Sequence, residues 1–348
     1  RNSAMTTLSP TISGGNAVTW EISPSLPSGL TFNNGVISGT PTVNMTQTSY
    51  AIWANNTGGS ASVLITITVN EPQTIVSYSS TNIILTRDIA MASLHPSVSN
   101  GVAETWEISP ALPSGLTFNN GVISGTPTVN MTQTTYTIWA NNTGGSTPTN
   151  IAISVLEPQV VFTYSLSNLI LTRDSAMSTL SPTLSGGNAA TWAISPALPN
   201  GLIFNNGIIS GTPTVNMTQT NYTIWANNTG GSSSTTLTIT VNEPTITLAY
   251  PSASVTVTRG VDTVNLIPAL AGGNVATMAI SPSLPSGITL FSNGTIYGIP
   301  IVNMTQTMFE IWANNTGGST VTYLNITILE PQTIFTYNST NIVLTRNS

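Results

Sequence analysis

The sequence predicts an all-β chain, a tandem array of four antiparallel β-sandwiches. Three observations predict it: one unit recurs four times, its short apolar runs alternate with period two, and turn residues separate those runs. No segment sustains a helical period.

The repeat comes first. Trp53, Trp139, Trp225 and Trp312 stand in one phrase, "IWANNTGGS", at separations of 86, 86 and 87 residues. Arg1, Arg87, Arg173, Arg259 and Arg346 keep that spacing, and the extra residue of the last copy lies in "SGITLFSNG". Glu71, Glu157, Glu243 and Glu330 are each followed by proline, which ends ladder pairing and stiffens the exit. Boundaries therefore fall at 1–71, 72–157, 158–243 and 244–330, with 331–348 left over as the opening strands of a next repeat.

Within the second unit, "TIVSYS" and "NIILT" read as opening strands, "AETWEIS" follows, and "TTYTIWA" and "NIAISVL" close it. Alternation puts Trp106 and Ile108 on one face and Glu107 on the other, so Trp20, Trp106 and Trp192 are core candidates, with Met278 in their place in the fourth unit. The phrase "GLTFNNGVISGTPT" (29–42, identical at 115–128) reads as turn, strand, turn, strand, turn. Gly29 and Gly35 are expected at positive φ, and Pro41 at the end of the second strand. About seven short strands in some 86 residues describe an immunoglobulin-like sandwich.

Only 5% of residues are charged, against about 25% in ordinary soluble domains, and there is no Lys. The net charge of −6 argues against a nucleic-acid surface. With no Cys, disulfides and thiolate zinc sites are excluded. No apolar run reaches the ~18–20 residues of a membrane helix, so no membrane span is expected in this window.

The composite "LPSGLTFNNGVISGTPT", then "Y-x-I-x-A-N-N-T-G-G-S", then "ITITV" resembles the immunoglobulin-like, cadherin-like repeats of prokaryotic and archaeal cell-surface and filament proteins. The resemblance covers nearly the whole chain in four registers. It implies a sandwich used in long adhesins, stalks and surface filaments, and it supplies no catalytic residues. The fourth unit departs at "TIYGIPI", where Ile299 replaces Thr.

Candidate sites are few. His95 is the one histidine, with Ser9, Ser181 and Ile267 at the equivalent positions, so a surface substitution is expected and no triad can be built on it. Calcium would need several carboxylates, yet each junction offers one Glu, so neither calcium nor any other cofactor is expected. Arg87 and Glu157 are candidates for a junction ion pair, against the alternative of two solvated charges. Sequons recur as "NMT" at Asn44, Asn130, Asn216 and Asn303, and as "NNT" at Asn55, Asn141, Asn227 and Asn314. Both sets fall in expected turns and are candidate N-glycan sites, although Asn and Thr are also good turn residues. If Tyr136, Ile138 and Ala140 face the core, then Trp53, Trp139, Trp225 and Trp312 face outward as possible contacts for a sugar, a neighbouring unit or another filament.

The first unit lacks opening strands, and "PQTIFTYNSTNIVLTRNS" (331–348) has their form. Two explanations stay open: a longer continuous chain in which the block recurs, or separate chains joined head to tail by strand complementation. The expected function is a non-enzymatic structural subunit or segment of an extracellular filament or stalk, its partner another copy of itself. The alternative is an adhesin or carbohydrate-binding stalk at the cell surface, archaeal or bacterial.

Overall fold

The computed structural model describes residues 1–338, 341–344 and 346. All regular structure among the described residues is β-strand. The chain separates into two compact units, Arg1–Gln159 with Thr229–Gly231, and Val160–Asn228 with Ser232–Ser348.

The second repeat, in the first unit, shows the plan. A four-stranded sheet runs Thr105–Ser109, Met131–Asn142, Gly145–Leu156, Asn82–Thr86. The last two are parallel, with Ile153 opposite Ile83 and Val155 opposite Leu85; the other neighbours are antiparallel. The facing layer has Leu116–Asn119, Val122–Gly125 and Met91–Leu94 in one sheet, and Ile75–Tyr78 paired with Pro96–Ser99 in another. That makes nine strands where about seven were expected. The two unforeseen ones are Met91–Leu94 and Pro96–Ser99. They flank exposed His95 and pair with different partners, so neither carries a long alternating run.

Alternation fixes which side faces in. Tyr136, Ile138 and Ala140 from one long strand and Ile151, Ile153 and Val155 from the next are all buried. Trp106 packs against this cluster, edge to face with Phe118 at 6.5 Å. A Cβ at Gly121, where φ is +81°, would come within 2.8 Å of the Trp106 ring. The equivalent Gly35 (φ +82°) lies as close to Trp20. Trp192 and Met278 pack against the clusters of the third and fourth repeats.

In the second unit, the third and fourth repeats carry the same four-stranded order, with Asn168–Thr172 and Ser254–Thr258 as the parallel outer strands. The first repeat differs. Its large sheet has three strands, Thr19–Ser23, Met45–Asn56 and Gly59–Val69. Ile65 and Ile67 are only partly buried there, whereas Ile151 and Ile153 are at most 1% exposed. Residues 331–348 include Ser339, Thr340, Thr345, Asn347 and Ser348, which lie outside the described residues. The described part of this tail forms no strand.

The opening segment also contributes a tyrosine, buried at Tyr78 and partly buried at Tyr164 and Tyr250. Tyr78 donates its hydroxyl to Gly121 O at 2.6 Å and Tyr250 to Gly294 O at 2.5 Å, and Tyr164 does the same to Gly207 O. Burial pushes all three hydroxyls up to about 12. In the unfolded chain tyrosine ionises near pH 10, so the folded state holds these protons longer. The resulting stability is full below about pH 10 and is lost as pH rises toward about 12. Urea unfolding across that range should show the loss, and changing Tyr78, Tyr164 and Tyr250 to Phe should weaken it. An unaltered alkaline slope would contradict the assignment.

Candidate functional site at the repeat junctions

Among the described residues no group of three or more His, Cys, Asp or Glu side chains could hold a metal ion. The most built feature is the junction, where a Glu-Pro step leaves one repeat and enters the next.

At the end of the second repeat, Arg87 Nη1 meets Glu157 Oε1 at 2.8 Å. The parallel pairing of Asn82–Thr86 with Gly145–Leu156 brings the two together, since Arg87 and Glu157 are the next residues on each strand. The same pair forms between Arg1 and Glu71 (3.1 Å), Arg173 and Glu243 (2.8 Å), and Arg259 and Glu330 (2.6 Å).

The main chain of the same glutamate is held by the following repeat. Glu71 N–H donates to Thr143 Oγ1 at 2.9 Å, and Asn142 Nδ2 donates to Pro72 O at 2.8 Å. A Cβ on Gly144 would sit 2.0 Å from Glu71 O, so the hairpin tip touches the entering backbone directly. In the second unit Thr316, Asn315 and Gly317 grip Glu243 and Pro244 in the same way. Glu71 and Glu243 side chains are each 8% exposed, but Glu330, with no such tip over it among the described residues, is 53% exposed. The junction glutamate is thus pinned twice, by its carboxylate to its own repeat and by its N–H to the next.

This geometry corrects one expectation. The "NNT" asparagines do not lie in turns: Asn55, Asn141, Asn227 and Asn314 sit inside long strands. Each is partly buried and donates its amide to a threonine across the sheet, as Asn141 does to Thr105 Oγ1 at 3.3 Å. The sequon threonine Thr143 serves the junction instead. The "NMT" residues Asn44, Asn130, Asn216 and Asn303 are exposed and precede the long strands. Trp53, Trp139, Trp225 and Trp312 are partly buried on the outer sheet face; Trp139 stands between Glu107 and Pro148 on the neighbouring strands.

The family model described as "Putative Ig domain" matches residues 1–70, 72–156 and 160–242. The chain belongs to this Ig-domain family. Among solved structures, this Ig-domain chain is similar to Sidekick-1 immunoglobulin domains 1–5, with 16% identity over 95% of this chain and 78% of that one, TM-score 0.34. Drosophila OTK extracellular domains 3–5 match with 14% identity over 73% of this chain and 97% of that one, TM-score 0.34. The N-terminal four Ig domains of Dscam1 isoform 6.44 match with 13% identity over 94% and 95%, TM-score 0.31. No curated protein matches the chain. Among the described residues no helix is long and apolar enough to cross a membrane.

The ion pair is only partly exposed, at 25% for Arg87 and 16% for Glu157, so it should couple more strongly than a fully solvated one. A double-mutant cycle of Arg87→Ala and Glu157→Ala, read by denaturant unfolding, should return a coupling of about 1 kcal/mol. Purely additive losses would contradict it.

Proposed function

We propose that this chain is a non-enzymatic structural segment of an extracellular filament or stalk, made of four Ig-like sandwiches and joined head to tail to further copies. The observation that carries this reading is the linkerless junction. The Glu71-Pro72 and Glu243-Pro244 steps are each fixed by an ion pair on one side and by a hairpin tip on the other. Such a joint transmits position from one domain to the next without a flexible spacer. The fourth repeat, 244–330, lies beyond the family match; its four-stranded order and its own buried cluster support reading it as a fourth domain. Low charge and the absence of cysteine suit a passive material whose solubility comes from Ser, Thr and Asn.

A second reading, a carbohydrate-binding stalk, draws support from the partly exposed tryptophans on the outer sheet face. Glycan binding that disappears on Trp139→Ala would favour it over the purely structural reading.

Immunogold labelling of the native cells with an antibody to this chain tests the main proposal. Gold should follow thin fibres outside the cell. Gold confined to the cytosol would overturn it.

A further inference from the structure

The first repeat contains an open cleft of about 540 Å³, lined by Pro10, Ile12, Trp20, Ile52, Ala54 and Val63 among others. In the second repeat the same place holds the entering strand Ile75–Tyr78, paired antiparallel with Pro96–Ser99. Pro10–Ser13, the counterpart of Pro96–Ser99, forms no strand. The outer edge of Gly59–Val69 likewise corresponds to the edge of Gly145–Leu156 that Asn82–Thr86 occupies.

The glycines of the first repeat point the same way. Cβ atoms at Gly144 and Gly317 would strike Glu71 O and Glu243 O at 2.0 Å. At the equivalent Gly58 a Cβ meets only Asn56 Oδ1, at 3.2 Å. Gly101 and Gly273 would strike Pro72 O and Pro244 O at 2.3 Å, whereas Gly15 faces only Asn56 Nδ2 at 3.0 Å. The first repeat therefore carries the small residues of a junction, with no entering backbone against them among the described residues.

The tail 331–345 has the matching chemistry. Phe335, Tyr337, Ile342 and Leu344 are 74–86% exposed. Their counterparts Val76, Tyr78, Ile83 and Leu85 line the second core, and Val76 and Tyr78 are at most 9% exposed. We propose that the first-repeat cleft is a docking site for residues 330–345 of a second copy of this chain. This rests on the head-to-tail reading above and assigns its contacts.

The register follows from the second repeat. Ile334, Phe335, Thr336 and Tyr337 pair with Ser13, Ile12, Thr11 and Pro10, as Ile75–Tyr78 pair with Ser99–Pro96. Ile342 and Leu344 lie parallel to Ile67 and Val69, as Ile83 and Leu85 do to Ile153 and Val155. The Glu330 N–H meets Thr57 Oγ1, and Tyr337 donates its hydroxyl to Gly35 O, following Glu71 and Tyr78. Asn56 Nδ2, which donates to Asn16 O at 3.2 Å, turns to Pro331 O, following Asn142. The seat ends before Arg346, because Arg1 already holds its position on Glu71.

Sedimentation velocity on the chain of residues 1–348 decides this. Wild type at about 1 to about 100 µM should form a concentration-dependent series in multiples of 36.2 kDa. A synthetic peptide of residues 331–345 in excess should collapse that series to single chains. Gly58→Ala should place a methyl against the entering Glu330 carbonyl, and Phe335→Asp should remove the main apolar anchor. Each should hold the chain at 36.2 kDa with an unchanged circular dichroism spectrum. The proposal is overturned if wild type stays at 36.2 kDa throughout, or if Gly58→Ala associates as wild type does. Either failure would leave the surface location intact, and failed immunogold labelling would leave the association intact, so the two readings fall separately.

Discussion

The interior of each complete repeat is shut by strands that enter immediately after a Glu-Pro step. Val160 and Phe162 in the third repeat, and Ile246 and Leu248 in the fourth, are such entering residues, all at most 7% exposed. Burying a side chain of this size contributes roughly 1.5–3 kcal/mol. A repeat deprived of its entering strands gives up several such contributions together with an edge of backbone hydrogen bonds. The junction is thus part of the core's construction, and connection and stability cannot be separated. That the first repeat has the partly open interior, with Ile65 and Ile67 only partly buried where Ile151 and Ile153 are at most 1% exposed, is the same constraint seen from the other side.

The glutamate is economical under this constraint. Its carboxylate reaches an arginine that the parallel strand pairing delivers, and its N–H and the adjoining proline carbonyl satisfy a threonine and an asparagine of the next hairpin. Covering a charge removes it from water, which is tolerable only with a partner in place. The hairpin tip covers Glu243 and leaves the Arg173 contact intact. Few other charges exist in the chain, so the charge that is present is concentrated where domains meet.

Much of this was legible in the sequence because the repeat exposed the alternation four times over. The inward face of Tyr136, Ile138 and Ala140, the core position of Trp106, and the positive φ of Gly29 and Gly35 all follow from period and turn chemistry. The junction clamp was not legible. Asn142, Thr143 and Gly144 read as turn residues, which they are, and nothing in "NNTGGS" says that the turn also grips a segment about seventy residues earlier. Asn141 was expected in a turn, but the strand continues through it and its amide donates to Thr105. The strands Met91–Leu94 and Pro96–Ser99 escaped notice because each is four residues long and switches partner across His95.

Amide hydrogen exchange on dilute chain measures the central constraint most directly, since it compares the same hairpin with and without entering strands. The account predicts that Gly59–Val69 exchanges at least about tenfold faster than Gly145–Leu156, because its outer edge and inner face lack the strands that close the second repeat. Equal protection of the two strands would contradict it, by showing that a repeat closes its interior without help from the segment that follows a Glu-Pro step.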